Sequence, residues 1–101
     1  MSSIIINIKN EIGGLDFAGS RGSGEIVREK MKPLLDNSEN VTLDFTGIES
    51  ITQSFADEVV GIFVRAFGVN YIKDSLRLNN ANSSIKQTLN FVISYSKKKT
   101  A

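Results

Sequence analysis

The sequence predicts a single α/β domain, a small mixed or mostly parallel sheet with helices packed against it. Apolar residues switch repeatedly along the chain between short runs and three- or four-residue stripes, in the order strand, helix, strand, helix, strand, helix. In that alternation each helix serves as the crossover between parallel strands. The length of 101 residues supports one modest core and not two, and 41% hydrophobic with 23% charged residues is ordinary for a globular domain. The domain is expected over residues 1–96, followed by a basic, disordered tail at 97–101.

The first strand rests on the β-branched cluster Ile4, Ile5, Ile6 and Ile8, closed by the turn signal Gly13-Gly14. The polar stretch GSRGSGE, residues 19–25, reads as a flexible loop leading into a helix. Val27, Met31, Leu34 and Leu35 then follow a helical stripe, with Ile26 beside it; Pro33 predicts a kink or an early end near Lys32. Residues 37–40 form a loop, and Val41 to Phe45 is a short apolar strand with Asp44 near its end. Phe55, Val59, Ile62, Phe63, Ala66 and Phe67 recur at helical spacing and mark the clearest amphipathic helix, with Gly68 as its stop. Phe55, Val59, Ile62, Phe63 and Phe67 are its expected core residues. Leu76 and Leu78 suggest a third strand running into NNAN. Ile85, Leu89, Val92 and Ile93 mark the last helix, capped by Asn82, Ser83 or Ser84.

Composition narrows the chemistry. A formal charge of +1 supplies no long-range field for nucleic acid or an acidic membrane, and the basic residues cluster only in the tail. Without Cys there are no disulfides or thiolate metal sites, and without His the commonest metal ligand and general base are missing. An enzyme is therefore not expected, nor a cofactor or metal. The N-terminus lacks the basic region of a signal peptide, and no segment approaches the roughly 20 apolar residues of a membrane span, so a cytoplasmic protein is expected.

Three stretches hold candidate site residues. GSRGSGE offers Ser20, Arg21 and Ser23 to an anion, but Gly24 is followed by Glu25 and Ile26 rather than the Lys-Ser/Thr of a phosphate loop. A capped helix start is the competing reading. Asp44 meets a turn, where it can accept backbone amides or orient a hydroxyl. The turn Ser50-Ile51-Thr52-Gln53-Ser54 precedes the long helix, so Thr52 or Ser54 can cap it, and either hydroxyl could carry a phosphate at a helix N-terminus. Asp57 and Glu58 suit the first turns of that helix.

The stretch VTLDFTGIESITQS resembles the central motif of STAS domains, the family of anti-sigma-factor antagonists and sulphate-transporter tails. LDFTGIESITQSFADE is more similar still to the STAS-like family of unknown function, with SRGSGEIVREKM before it and LRLNNANSSIKQTL after it; the resemblance covers roughly residues 17 to 95. It implies a STAS-like fold and a non-catalytic regulatory module of a bacterial or phage cell. In antagonists, Asp-Ser-Ser-Gly opens the helix and its first Ser is phosphorylated by a partner that is both anti-sigma factor and kinase. In register, Thr52 falls on the Asp, Gln53 on that Ser, Ser54 on the second Ser and Phe55 on the Gly. Gln53 accepts no phosphate, which leaves Thr52 or Ser54 for any such switch.

The resemblance implies docking through the loop 46–54 and the start of the following helix. Its contacts would be Asp44, Thr52, Gln53, Ser54, Asp57 and Glu58, and its partner a histidine-kinase-like ATPase or an anti-sigma factor. The alternatives are a small-ligand or nucleotide site formed by loops 19–25 and 79–84, or a phosphorylation switch at Thr52 or Ser54.

Overall fold

A computed structural model describes residues 3–99. Strands β1 (Ile4–Asn7), β3 (Val41–Asp44) and β5 (Leu76–Asn79) form one parallel sheet with β3 in the centre. Ile6 lies level with Leu43 and Leu78, so the β-branched and leucine positions of three strands meet in one row. A second, two-stranded parallel pair joins β2 (Phe17–Ala18) to β4 (Ser50–Ile51). Strands of two residues leave no periodic signal, which is why the sequence does not predict this pair. The hydrogen bonds Glu49 N to Asp16 O (2.7 Å) and Thr52 N to Ala18 O (3.1 Å) extend it at both ends.

A single helical turn, α1 (Ile8–Glu11), succeeds β1, with Asn7 as its cap and Ile8 fully buried. Ile8 thus belongs to a helix and not to the expected first strand. Helix α2 (Arg21–Asp36) begins at once after Ser20, whose Oγ accepts from Ser23 N at 3.0 Å. The stretch expected as a flexible loop is therefore mostly helix. Pro33 does not end α2, which continues to Asp36. An interior proline costs about 3 kcal/mol. Beyond it the buried Leu35 returns about 1.5–3 kcal/mol, and Asn37 N–H, bonded to Pro33 O and Leu34 O at 3.2 Å, closes the last turn.

The segment after β4 is one helical rod of three parts. Helix α3 (Gln53–Ala56) leads into a π-helical turn (Asp57–Gly61), which leads into α4 (Ile62–Phe67). In the π turn Ile62 N–H reaches back five residues to Asp57 O. That wider turn rotates α4 relative to α3 and moves the buried face: Phe55, Val59 and Phe63 are core as expected, joined by Ala56, Val60 and Val64. Ile62 is only partly buried, and Phe67 is 55% exposed with its ring against Tyr71, 4.7 Å between centroids. The expected burial of those two side chains assumed an unbroken 3.6-residue period.

Gly68, at φ +93°, ends the rod, and the unpredicted helix α5 (Val69–Ser75) comes next, before β5. Helix α6 (Ser83–Lys99) is capped by Asn82, whose Oδ1 accepts from Ile85 N at 2.9 Å. Its residues Ile85, Leu89 and Val92 enter the core. Helix α6 reaches three residues into the stretch expected as a tail, and Ser96 is fully buried; residues 100 and 101 lie outside the described residues. Helices α2 and α6 each pack against the rod, and α2 also packs against β3, whose Val41 and Leu43 are fully buried.

Candidate functional site

The turn before the rod resolves the choice of cap. Thr52 Oγ accepts from Phe55 N at 3.1 Å and donates to Gly19 O at 3.1 Å. Its hydroxyl therefore caps one helix while holding the residue just before the cap of another. Ser54 sits one turn-step further on, partly exposed, and its hydroxyl makes no hydrogen bond among the described residues. Gln53 beside it is exposed.

The next two acids, Asp57 and Glu58, form an ionic cluster across three helical segments. Asp57 accepts from Arg65 at 2.6 and 3.2 Å and from Arg21 at 3.0 Å. Glu58 accepts from Arg21 at 2.6 Å and from Arg28, and its side chain is almost wholly buried. Arg65 also donates to the buried Ser96 hydroxyl at 3.0 Å, which ties in α6. The wide turn at 57–61 presents both acids to this meeting point, a common use of π-helical geometry. Close backbone approach is required: a Cβ on Gly24 would lie 2.6 Å from Glu58 Cβ and 3.0 Å from Phe55 O. On Gly61 it would lie 2.4 Å from Asp57 Oδ1.

The charges respond as this geometry dictates. The Arg65 guanidinium, and then Arg21, hold the Asp57 carboxyl below its ordinary pKa against the opposing effect of burial. Arg21 is raised by its hydrogen bonds to Glu58 and Asp57, and Arg65 by Asp57.

Above the cluster lies an open groove of about 680 Å³. Gln53, Ser54 and Asp57 form one wall and Phe91, Val92 and Tyr95 the other, with Arg21 and Arg65 completing it. Phe91 and Tyr95, 54% and 52% exposed, stand nearly parallel with centroids 6.4 Å apart.

Of the residues singled out from the sequence, Arg21, Gln53, Ser54 and Asp57 come together at this groove, with Glu58 beneath it and Thr52 as the cap. Ser20 and Ser23 are joined to each other by the cap of α2, hydroxyl to hydroxyl at 3.0 Å. Asp44 is elsewhere, at the carboxyl end of the sheet. There its Oδ1 accepts from Thr46 N (3.1 Å), Thr46 Oγ1 (2.6 Å) and Asn80 Nδ2 (3.0 Å). The Thr46 hydroxyl, and after it Asn80, lowers its pKa. Asn82 closes the neighbouring loop by donating to Glu49 O at 2.9 Å. The groove includes Arg21 but no residue of the 79–84 loop.

Sequence reasoning missed Arg28, Arg65, Phe91 and Tyr95. The only available signal for the aromatics was their four-residue spacing off the Ile85-Leu89-Val92 stripe. Among the described residues no group of three or more acidic side chains converges as a metal site would require, and no helix is long and apolar enough to cross a membrane.

The family model of a STAS-like domain of unknown function matches residues 23–86, well over half of the sequence. The chain belongs to this family. Neither the curated proteins nor the solved structures gave a match. The part shared with other STAS-like domains thus contains Asp44, the 46–54 loop and the whole rod, whereas Phe91 and Tyr95 lie beyond it.

Proposed function

We propose that this STAS-like domain is a non-catalytic regulatory module that docks a protein partner through the 46–54 loop and the start of the rod. The observation that carries the reading is the pair of exposed, nearly parallel rings, Phe91 and Tyr95, facing Gln53 and Ser54 across an open groove. Exposed aromatics beside arginines are the side chains that anchor protein interfaces. The acids nearest the groove are held by arginines and serve poorly as general bases, which supports a binding role. A histidine-kinase-like ATPase or anti-sigma factor is the partner class that family analogy favours, and the cytoplasm of a bacterial cell is the setting it implies.

The second reading is a phosphorylation switch, and the unbonded Ser54 hydroxyl favours that residue over Thr52, whose hydroxyl is engaged twice. A small-ligand site spanning the 19–25 and 79–84 loops is less well supported, because their polar groups are spent on caps and turns.

The test is affinity capture from the native cytosol with wild type, Gln53→Arg and Phe91→Ala/Tyr95→Ala, then reconstitution of the captured protein from purified components. A saturable complex lost in both variants, with circular dichroism unchanged, supports docking here. Purified binding that survives both variants overturns it, and a phosphate recovered on Ser54 but absent from Ser54→Ala promotes the switch.

A further inference from the structure

We propose that the free edge of β1 is a self-association surface that a second copy of this chain covers by antiparallel strand addition about a two-fold axis. β3 pairs with β1 on one side only, and no strand lies on the other side among the described residues. Because Ile4 N–H bonds Asn40 O on the β3 side, strand parity turns the N–H and C=O of Ile5 outward.

The two edges of the sheet are treated differently. β5 carries Arg77, whose guanidinium folds back onto Lys73 O and Leu76 O at 3.2 Å; a charged residue is one usual guard of an exposed edge. β1 has no charge, proline or bulge, and Ile5 is 61% exposed. A groove of about 530 Å³ runs between this strand and α2, lined by Ile4, Ile5 and Ile6 and by Glu29, Lys30 and Pro33 among others.

Charge pattern selects a second copy as the occupant. In an antiparallel, two-fold arrangement a surface must complement itself. With the axis passing between Glu29 and Lys30, the α2 flank does so: in that register Glu29 of one copy meets Lys30 of the other, and the exposed Ile26 meets Pro33. Lys30 bonds Glu11 at 3.4 Å within its own chain through one of three ammonium donors, which leaves others for a second carboxylate. On the strands the two Ile5 residues exchange N–H···O=C bonds and place their β-branched side chains together.

Sedimentation velocity across micromolar to millimolar loading tests this, with wild type, Ile5→Lys, Glu29→Lys and the swap Glu29→Lys/Lys30→Glu. The expected result is a reversible dimer that Ile5→Lys abolishes. Glu29→Lys weakens it about tenfold, because the two-fold counts each altered pair twice, and the swap restores it. Slowed amide exchange at Ile5 on dimerisation identifies the strand. A monomer throughout, or a dimer indifferent to both Ile5→Lys and Glu29→Lys, overturns the proposal.

Discussion

Asp44 and the pair Asp57–Glu58 hold their surroundings together by opposite means. Asp44 accepts from neutral donors, chiefly Thr46 two residues on and Asn80 beyond the neighbouring strand. Asp57 and Glu58 engage guanidinium groups from α2 and α4, and Arg65 carries the cluster on to Ser96 of α6. The first arrangement closes a turn at the strand ends. The second fixes how three helices sit against one another, and with them the shape of the groove. Local neutral bonds secure a loop, whereas long-range ionic bonds set tertiary geometry.

The largest expected effect comes from breaking the ionic side. Glu58→Ala strips Arg28 of its acid partner and deprives Arg21 of one of two, beneath a packed helix interface. The arginines left behind are partly exposed and can turn to water, so the loss is that of charge-assisted hydrogen bonds, about 2–3 kcal/mol, read as a lower urea midpoint. A loss under about 1 kcal/mol would mean the cluster is a solvated surface feature. Gly24→Ala tests the same junction sterically. Its new Cβ meets Glu58 Cβ and Phe55 O, and overpacking of this kind costs about 1–3 kcal/mol, so an unchanged midpoint would deny the close approach of α2 to the rod.

Asp44→Ala should cost less, about 1–2 kcal/mol, because the freed Thr46 and Asn80 groups can turn to water. It should leave partner capture by the groove intact, and a variant that folds but loses capture would merge the two regions functionally. The smallest effect is a difference in pH and salt response. Both Asp44 and Asp57 have folded pKa values below the ordinary 3.8, so their stabilisation is complete above that value and is lost as pH falls through the lower folded values. Asp57→Asn should flatten part of this acid loss, and the part it removes should shrink in added salt. The Asp44 share depends on neutral donors and should not. Equal salt sensitivity of the two would contradict the distinction.

The same contrast decides what could be read from the sequence. Thr52 as one of two caps, the strand leading to Asp44 and the Gly68 stop all depend on neighbours within four residues, and were legible there. The pairing of Arg21 with Glu58 spans 37 residues and leaves no local trace. Pro33 misled because a local cost was offset by burial of Leu35 and by the backbone bonds that close the last turn. Phe67 misled because five residues of wider turn shifted the period between Phe55 and the end of the rod. The paired strands β2 and β4 are too short to carry any period at all.

That wider turn also lets the rod hold one residue more than a regular helix of the same number of turns. An ordinary helix advances roughly 100° per residue. Taking up the extra residue between Asp57 and Gly61 cancels a swing of about that angle in Ile62–Phe67. Were the same residues wound as a regular helix, Arg65 would turn away from Ser96 and Val64 would leave the core for solvent. Deleting one residue within the turn should instead let it close as a regular helix with Ile62–Phe67 still facing the core, so relatives whose rod differs in length by one residue should differ there.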